Sequence, residues 1–250
     1  MPINLYIGQP RSGKSYEVVT GPILGSIRMG RRVVSNIAGL NYPAMRELLA
    51  AEGVKDEDMG ELVMVTHEQV QADNFFRTDY DAPDFETFVQ PGDLVALDEI
   101  WRFWEPRGKL PTRHMNFMRM HGHLINQKNG LCCEVVLITQ ALSDVNSNIR
   151  NTAHQTVYMK KMTALGLNKA YTVTIYDKAS TAKSKILTQF ERKYNPELFH
   201  LYKSHSQNQG GVEPKEVHVD KRGNILMNKR FGIRHQHVID KIGHLLAAFI

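Results

Sequence analysis

The feature that most constrains this chain lies near its start. Residues 8–15 read GQPRSGKS, the G-x-x-x-x-G-K-[ST] pattern of a phosphate-binding loop. The apolar run at residues 3–7 precedes it and reads as a strand, and Tyr16-Glu17-Val18-Val19 follows as the opening of a helix. The pattern needs that strand–loop–helix context. Glycines let the backbone turn tightly so that its N–H groups face an anion, and a helix N-terminus adds positive potential. The segment expected at a nucleotide is Gly8, Gln9, Pro10, Arg11, Ser12, Gly13, Lys14, Ser15 and Tyr16. Lys14 would reach the β- and γ-phosphates, and the Ser15 hydroxyl would bind Mg²⁺. The competing reading is a glycine-rich turn with a solvated lysine.

A second segment completes the chemistry. Residues 93–99 read DLVALDE, four apolar residues leading into an acidic pair, as in the Walker B strand of phosphate-loop ATPases. Such a strand would carry Asp98 to its C-terminal end, where ligands gather on sheets of this kind. Asp98 would enter the Mg²⁺ shell, and Glu99 would orient or deprotonate the attacking water. The next strand ends in Thr139-Gln140, which places Gln140 to sense the γ-phosphate or to cap backbone groups. An arginine would also serve the developing charge, often from a neighbouring subunit. Arg150 is the first candidate, with Arg113 and Arg119 behind it. A glutamate beside the aspartate and a strand-end glutamine favour a hydrolase over a small-molecule kinase.

Composition bounds the rest. With 250 residues and 42% hydrophobic content, the chain can build one large α/β domain with a small appendage. A net charge of +5 permits an acidic partner without demanding one, and no basic–aromatic stripe supports sequence-specific nucleic-acid binding. The two cysteines, Cys132 and Cys133, are adjacent and fit a reducing compartment. The first apolar run is too short for a secretory signal. His121-Gly122-His123 and His235-Gln236-His237 lack accompanying ligands at metal-site spacing, so they read as exposed or hydrogen-bonding histidines. Trp101, Phe103 and Trp104 either pack beneath the site or contribute to a protein–protein surface.

Short apolar runs alternating with helical patterns predict a mostly parallel sheet flanked by helices. Strands are expected at 33–36, 62–66, 94–97 and 134–139, and helices from the loop to Met29 (interrupted at Gly21-Pro22), at 43–52, 112–128 and 196–202. Residues 73–92 read as a loop, and residues 154–161 and 171–176 as an antiparallel pair after the sensor strand. Residues 207–211 read as a linker. The apolar run from Ile242 to Ile250 is either an amphipathic packing helix or the approach to a membrane span, with Lys229, Arg230, Arg234 and Lys241 as a basic cytoplasmic flank.

These motifs together resemble the zonula occludens toxin (Zot) family. GQPRSGKSY followed by GRRVVSNI resembles its opening, and DEIWRFW at 98–104 its Walker B segment with the aromatic tail. Ile138-Thr139-Gln140 with Asn148-Ile149-Arg150-Asn151 matches its sensor region, and Leu201-Tyr202-Lys203-Ser204 its closing motif. The match runs over residues 1–206. It implies an α/β P-loop NTPase domain at 1–206, with 207–250 as linker and juxtamembrane or packing segment. It further implies an ATP- and Mg²⁺-dependent motor of filamentous-phage assembly on the cytoplasmic face of the host inner membrane. The implied partners are further copies of the chain in a ring, phage coat and other assembly proteins, phage single-stranded DNA, and the membrane through a segment beyond residue 250. Two departures stand out. A longer segment separates His121-Gly122-His123 from Glu134, and Arg11 stands where many relatives have glycine. The rival functions are a DNA-translocating or packaging ATPase and a non-hydrolysing nucleotide-binding scaffold.

Overall fold

The computed structural model describes residues 2–82, 84–162 and 170–202. The linker and basic flank, Lys203-Ser204 and the second histidine pair lie outside the described residues. An eight-stranded sheet runs in the order β3-β2-β4-β5-β1-β6-β7-β8. Its strands are β1 (Ile3–Ile7), β2 (Val33–Ser35), β3 (Leu62–Met64), β4 (Leu94–Leu97), β5 (Glu134–Ile138), β6 (Gln155–Lys161), β7 (Ala170–Asp177) and β8 (Ile186–Lys193). From β3 to β6 all neighbours are parallel, and β6-β7-β8 is antiparallel. The expected architecture, a mostly parallel α/β sheet with an antiparallel addition after the sensor strand, is therefore present.

Period-two alternation divides the central strands between two cores. Leu5, Val95, Leu97, Val135 and Leu137 face one side, where Phe75, Phe76, Trp104 and Phe117 pack. Phe76 and Phe117 stack with centroids 4.1 Å apart, both fully buried. Tyr6, Leu94, Ala96, Val136 and Ile138 face the other side, beneath the helix that follows the loop. That helix comprises α1 (Lys14–Val18), a π-helical turn at Val19–Ile23 and α2 (Leu24–Arg28). Gly21-Pro22 does not break it, because the wide π-turn makes room for the proline ring and accommodates the hydrogen bond it cannot donate.

Helix α3 (Tyr42–Ala51) begins one residue before the expected start, with Asn41 capping the Ala44 N–H. Strand β3 is shorter than expected, because Thr66 instead caps α4 (His67–Gln71) through a reciprocal bond with Gln69. The reading of 112–128 as one helix is corrected: α5 (Thr112–Met120) ends early, a 3₁₀ turn follows at His121–His123, and Ile125 bridges Cys132. The Asn129-Gly130 turn sets that hairpin, with Gly130 at φ 68. It is the longer segment before β5. Helix α6 (Ser147–Thr152) crosses from β5 to β6. The expected closing helix is a 3₁₀ segment, Pro196–Leu201.

Two ion pairs join the N-terminal strand ends. Arg31 meets Glu134 at 2.7 Å, and Arg32 meets Asp93 at 2.6 Å. Burial pushes the Asp93 carboxyl up to about 7, even though the Gln90 N–H and Arg32 draw it down.

Candidate functional site

The C-terminal ends of β1, β4 and β5 meet at one edge, since the three strands are parallel neighbours. This brings residues 8–15, Asp98, Glu99 and Gln140 to the same rim of the sheet. The Gly8 N–H donates to the Gln140 carbonyl at 3.1 Å, which ties the loop to the sensor strand. Gly8 has φ 149, and a Cβ there would strike the Met159 carbonyl oxygen. Gly13, at φ 96, ends the loop where a Cβ would strike the Tyr194 hydroxyl. Both positions need glycine for room as well as for conformation. Arg11 takes φ 61, a conformation that favours glycine.

Lys14 opens α1, and its ammonium donates to the Gly8 and Gln9 carbonyls at 2.7 and 3.0 Å. Burial lowers its pKa, and the charge of Asp98 raises it. Lysine and acid are thus in electrostatic reach, as one shared site requires. The Ser12 hydroxyl is buried within the loop and has no hydrogen-bond partner among the described residues. Such an orphaned donor suits a loop whose N–H groups and hydroxyls serve an anion. Ser15 and Asp98 supply the hard oxygen atoms that Mg²⁺ takes.

Asn36, at the end of β2, holds the Asp98 backbone. Its Oδ1 accepts the Asp98 N–H at 2.7 Å, and its Nδ2 donates to the Asp98 carbonyl at 3.1 Å. Asp98 in turn accepts the Glu99 N–H at 2.8 Å. Glu99 sits at φ 52, and its carboxylate meets Arg102 at 2.6 Å. The Arg102 guanidinium lies over the Trp101 ring at 5.2 Å. Trp101, Arg102, Glu105, Pro106, Gln140 and Asp144 line a cleft of about 700 Å³ beside the acidic pair. The aromatic tail therefore divides. Trp104 is buried and donates to His114 Nδ1 at 3.0 Å, while Trp101 remains 45% exposed.

Arg150 lies in α6, within the crossover that leads away from the loop's edge, and forms no ion pair among the described residues. Arg113 is engaged with Asp81 at 2.6 Å. His121 is buried, with Nδ1 3.1 Å from the Met118 carbonyl, and His123 is exposed.

The family model for zonular occludens toxin matches residues 2–209. The chain belongs to the Zot family. It is 27% identical over 220 residues to the Gene 1 protein of Xanthomonas phage phiLf, covering 87% of this chain and 47% of that one. It is 24% identical over 225 residues to the zona occludens toxin of Vibrio cholerae serotype O1, covering 82% and 52%. This Zot-family chain thus spans about half the length of these curated relatives. In fold it is similar to the N-terminal domain of the zonular occludens toxin of Neisseria meningitidis, with a TM-score of 0.53, 18% identity and coverage of 81% and 98%.

The sequence reading of this Zot domain assigned no role to Asn36, although a polar residue ending the strand beside the Walker B strand was its legible mark. It also missed a polar network on α1. Tyr171 donates to Glu17 at 2.6 Å, and Arg192 pairs with Glu17 at 2.8 Å. The cause is β8, an edge strand so exposed and charged that no alternation marks it.

Proposed function

We propose that residues 1–206 form an ATP-hydrolysing motor domain for filamentous-phage assembly. The single observation that carries the reading is the convergence of Lys14 and Asp98 at one end of the parallel sheet. When bound, Mg²⁺–ATP supplies the γ-phosphoryl group and a cation that neutralises its charge. The amides of residues 8–15 cradle the phosphates, and Lys14 turns from the Gly8 and Gln9 carbonyls to meet them. Ser15 and Asp98 hold the metal. Asn36 keeps the Asp98 backbone in register with β2. Glu99 takes the proton of the attacking water, and Gln140 orients that water from the neighbouring strand. Arg150 serves the site of an adjacent protomer in a homo-oligomeric ring.

Family membership and the phage origin of one relative support placing the activity in virion assembly and extrusion. Coat protein and phage single-stranded DNA are the cargo in this reading. The domain works on the cytoplasmic face of the inner membrane, joined to it through residues 207–250 and a segment beyond. Among the described residues no helix is long and apolar enough to cross a membrane.

The test is Mg²⁺-dependent phosphate release by the chain and by Glu99→Gln. The variant is expected to bind ATP and lose turnover. Wild-type-like turnover in Glu99→Gln would remove Glu99 from its role, and ATP binding without turnover in the assembled wild type would favour a scaffold. Stimulation by single-stranded DNA, absent with coat protein, would favour a DNA-translocating motor.

A further inference from the structure

The side of the loop away from the acids carries a feature that the phosphate chemistry does not use. Asp98 and Glu99 follow β4 and Gln140 follows β5, both on one side of β1. A γ-phosphate placed among them leaves the nucleoside to extend past α1 toward β6, β7 and β8. Strand β7 is antiparallel to β6 and β8 is antiparallel to β7, so β8 runs in the direction of β1. The chain leaving β8 therefore emerges at the loop's edge of the sheet, and its next residue is Tyr194.

Tyr194 touches the loop directly. Its hydroxyl donates to the Ser12 carbonyl at 3.3 Å, and its ring lies against Gly13. Its centroid is 5.1 Å from that of Tyr16 and 4.6 Å from that of Tyr171. Burial raises the Tyr194 phenol to about 12, so it stays a neutral donor. The Asn195 N–H donates to the Tyr16 hydroxyl at 2.9 Å. Phe199 then meets Tyr16 edge-on at 5.7 Å, yet remains 42% exposed. The far end of the segment is anchored as well, since the Asn41 N–H donates to the Leu201 carbonyl at 2.9 Å and Leu40 bridges Tyr202. A solvent-facing aromatic ring is thus held rigid from both ends beside a phosphate loop. Preorganisation of this kind lowers the ordering cost of binding a flat ligand.

We infer that residues 194–199 form the platform for the nucleotide's base, with Phe199 as the stacking face and Tyr194 joining that platform to the phosphate loop. The inference rests on the reading of residues 8–15 as a triphosphate site. A base stacked on Phe199 gives the domain its preference for a nucleoside triphosphate over a bare triphosphate.

The experiment compares Mg²⁺–ATP with Mg²⁺–tripolyphosphate by calorimetric titration of the full chain, Phe199→Ala and Phe199→Trp. Phe199→Ala is expected to weaken ATP roughly tenfold, in the range that one base–aromatic stack contributes, and to leave tripolyphosphate within about twofold. Phe199→Trp is expected to restore ATP binding. Equal losses for both ligands in Phe199→Ala, or unchanged ATP affinity, overturn the platform while leaving the phosphate loop intact. If the unaltered chain binds neither ligand, the loop reading itself fails and the platform fails with it.

Discussion

Asn36 grips Asp98 at two main-chain atoms, accepting its N–H at 2.7 Å and donating to its carbonyl at 3.1 Å. The side chain thereby does the work of a strand ladder one residue beyond the end of β2, and it fixes where the acidic pair leaves the sheet. Asn36→Leu keeps the volume and removes both bonds. It is expected to cost about 1–3 kcal/mol in urea unfolding, because two part-buried backbone groups lose their partners. It is also expected to raise the Mg²⁺ concentration at which ATP binding is half-maximal. Unchanged stability together with an unchanged Mg²⁺ requirement would show that Asp98 needs no such clamp.

Glu99 and Arg102 form a pair whose side chains are both nearly half exposed. Such pairs contribute up to about 1 kcal/mol. Arg102→Met is therefore expected to release Glu99 and raise kcat by no more than about fivefold, with KM and melting temperature little changed. Steady-state phosphate release measures this. A fall in kcat would assign Arg102 to the reaction itself instead of to restraint of Glu99.

Arg11 adopts φ 61 in the phosphate loop. The left-handed conformation costs an ordinary residue about 1–2 kcal/mol, and glycine's extra freedom in the unfolded chain offsets roughly half of that. Arg11→Gly is expected to stabilise the domain by about 0.5–1 kcal/mol, whereas Arg11→Val, with a branched Cβ, is expected to destabilise it. Thermal melts of the two variants decide the point. A loss on going to glycine would mean that the arginine side chain holds the loop.

His114 is buried beneath Trp104, and burial pushes its pKa down to about 4. In the unfolded chain the imidazole takes up a proton below about 6.5. The neutral buried ring therefore contributes stability that is full above pH 6.5 and is lost as pH falls toward 4, on the order of 3 kcal/mol at most. Buried Asp93, with its raised pKa, works in the opposite direction over much of the same range. The informative quantity is thus the stability of the wild type minus that of His114→Gln, which keeps an acceptor for Trp104. That difference is expected to shrink as pH falls from 6.5 to 4, and a pH-independent difference would sink the argument.

Most of the sheet was legible because its strands are short, apolar and bounded by turn residues. Leu94–Leu97 is buried along its whole length and reads as an unbroken apolar run. The phosphate loop was legible because its glycines answer to close contacts, with the Met159 carbonyl at Gly8 and Tyr194 at Gly13. Strand β8 was not, since its side chains face solvent and its partner β7 provides the ladder. With β8 unseen, Arg192 and Tyr194 could not be placed near α1. The early end of α5 was not readable, since a helical pattern continues past Met120 and only Gly122 interrupts it before the hairpin. Arg150 shows another limit. Spacing after the sensor strand gives its place in the crossover helix α6, and no pattern in the sequence says which protomer's site it would serve.

The bond from Gly8 to Gln140 links two segments that lie far apart along the chain. It joins main chain to main chain, so a change of the Gln140 side chain leaves the acceptor in place, whereas Gly8 cannot be replaced without displacing the donor. The tip of β5 and the first turn of the loop are therefore tied at their backbones, independently of the Gln140 side chain. Gln140, which lines the Trp101–Gln140 cleft, is thus one main-chain bond away from the first residue of the loop.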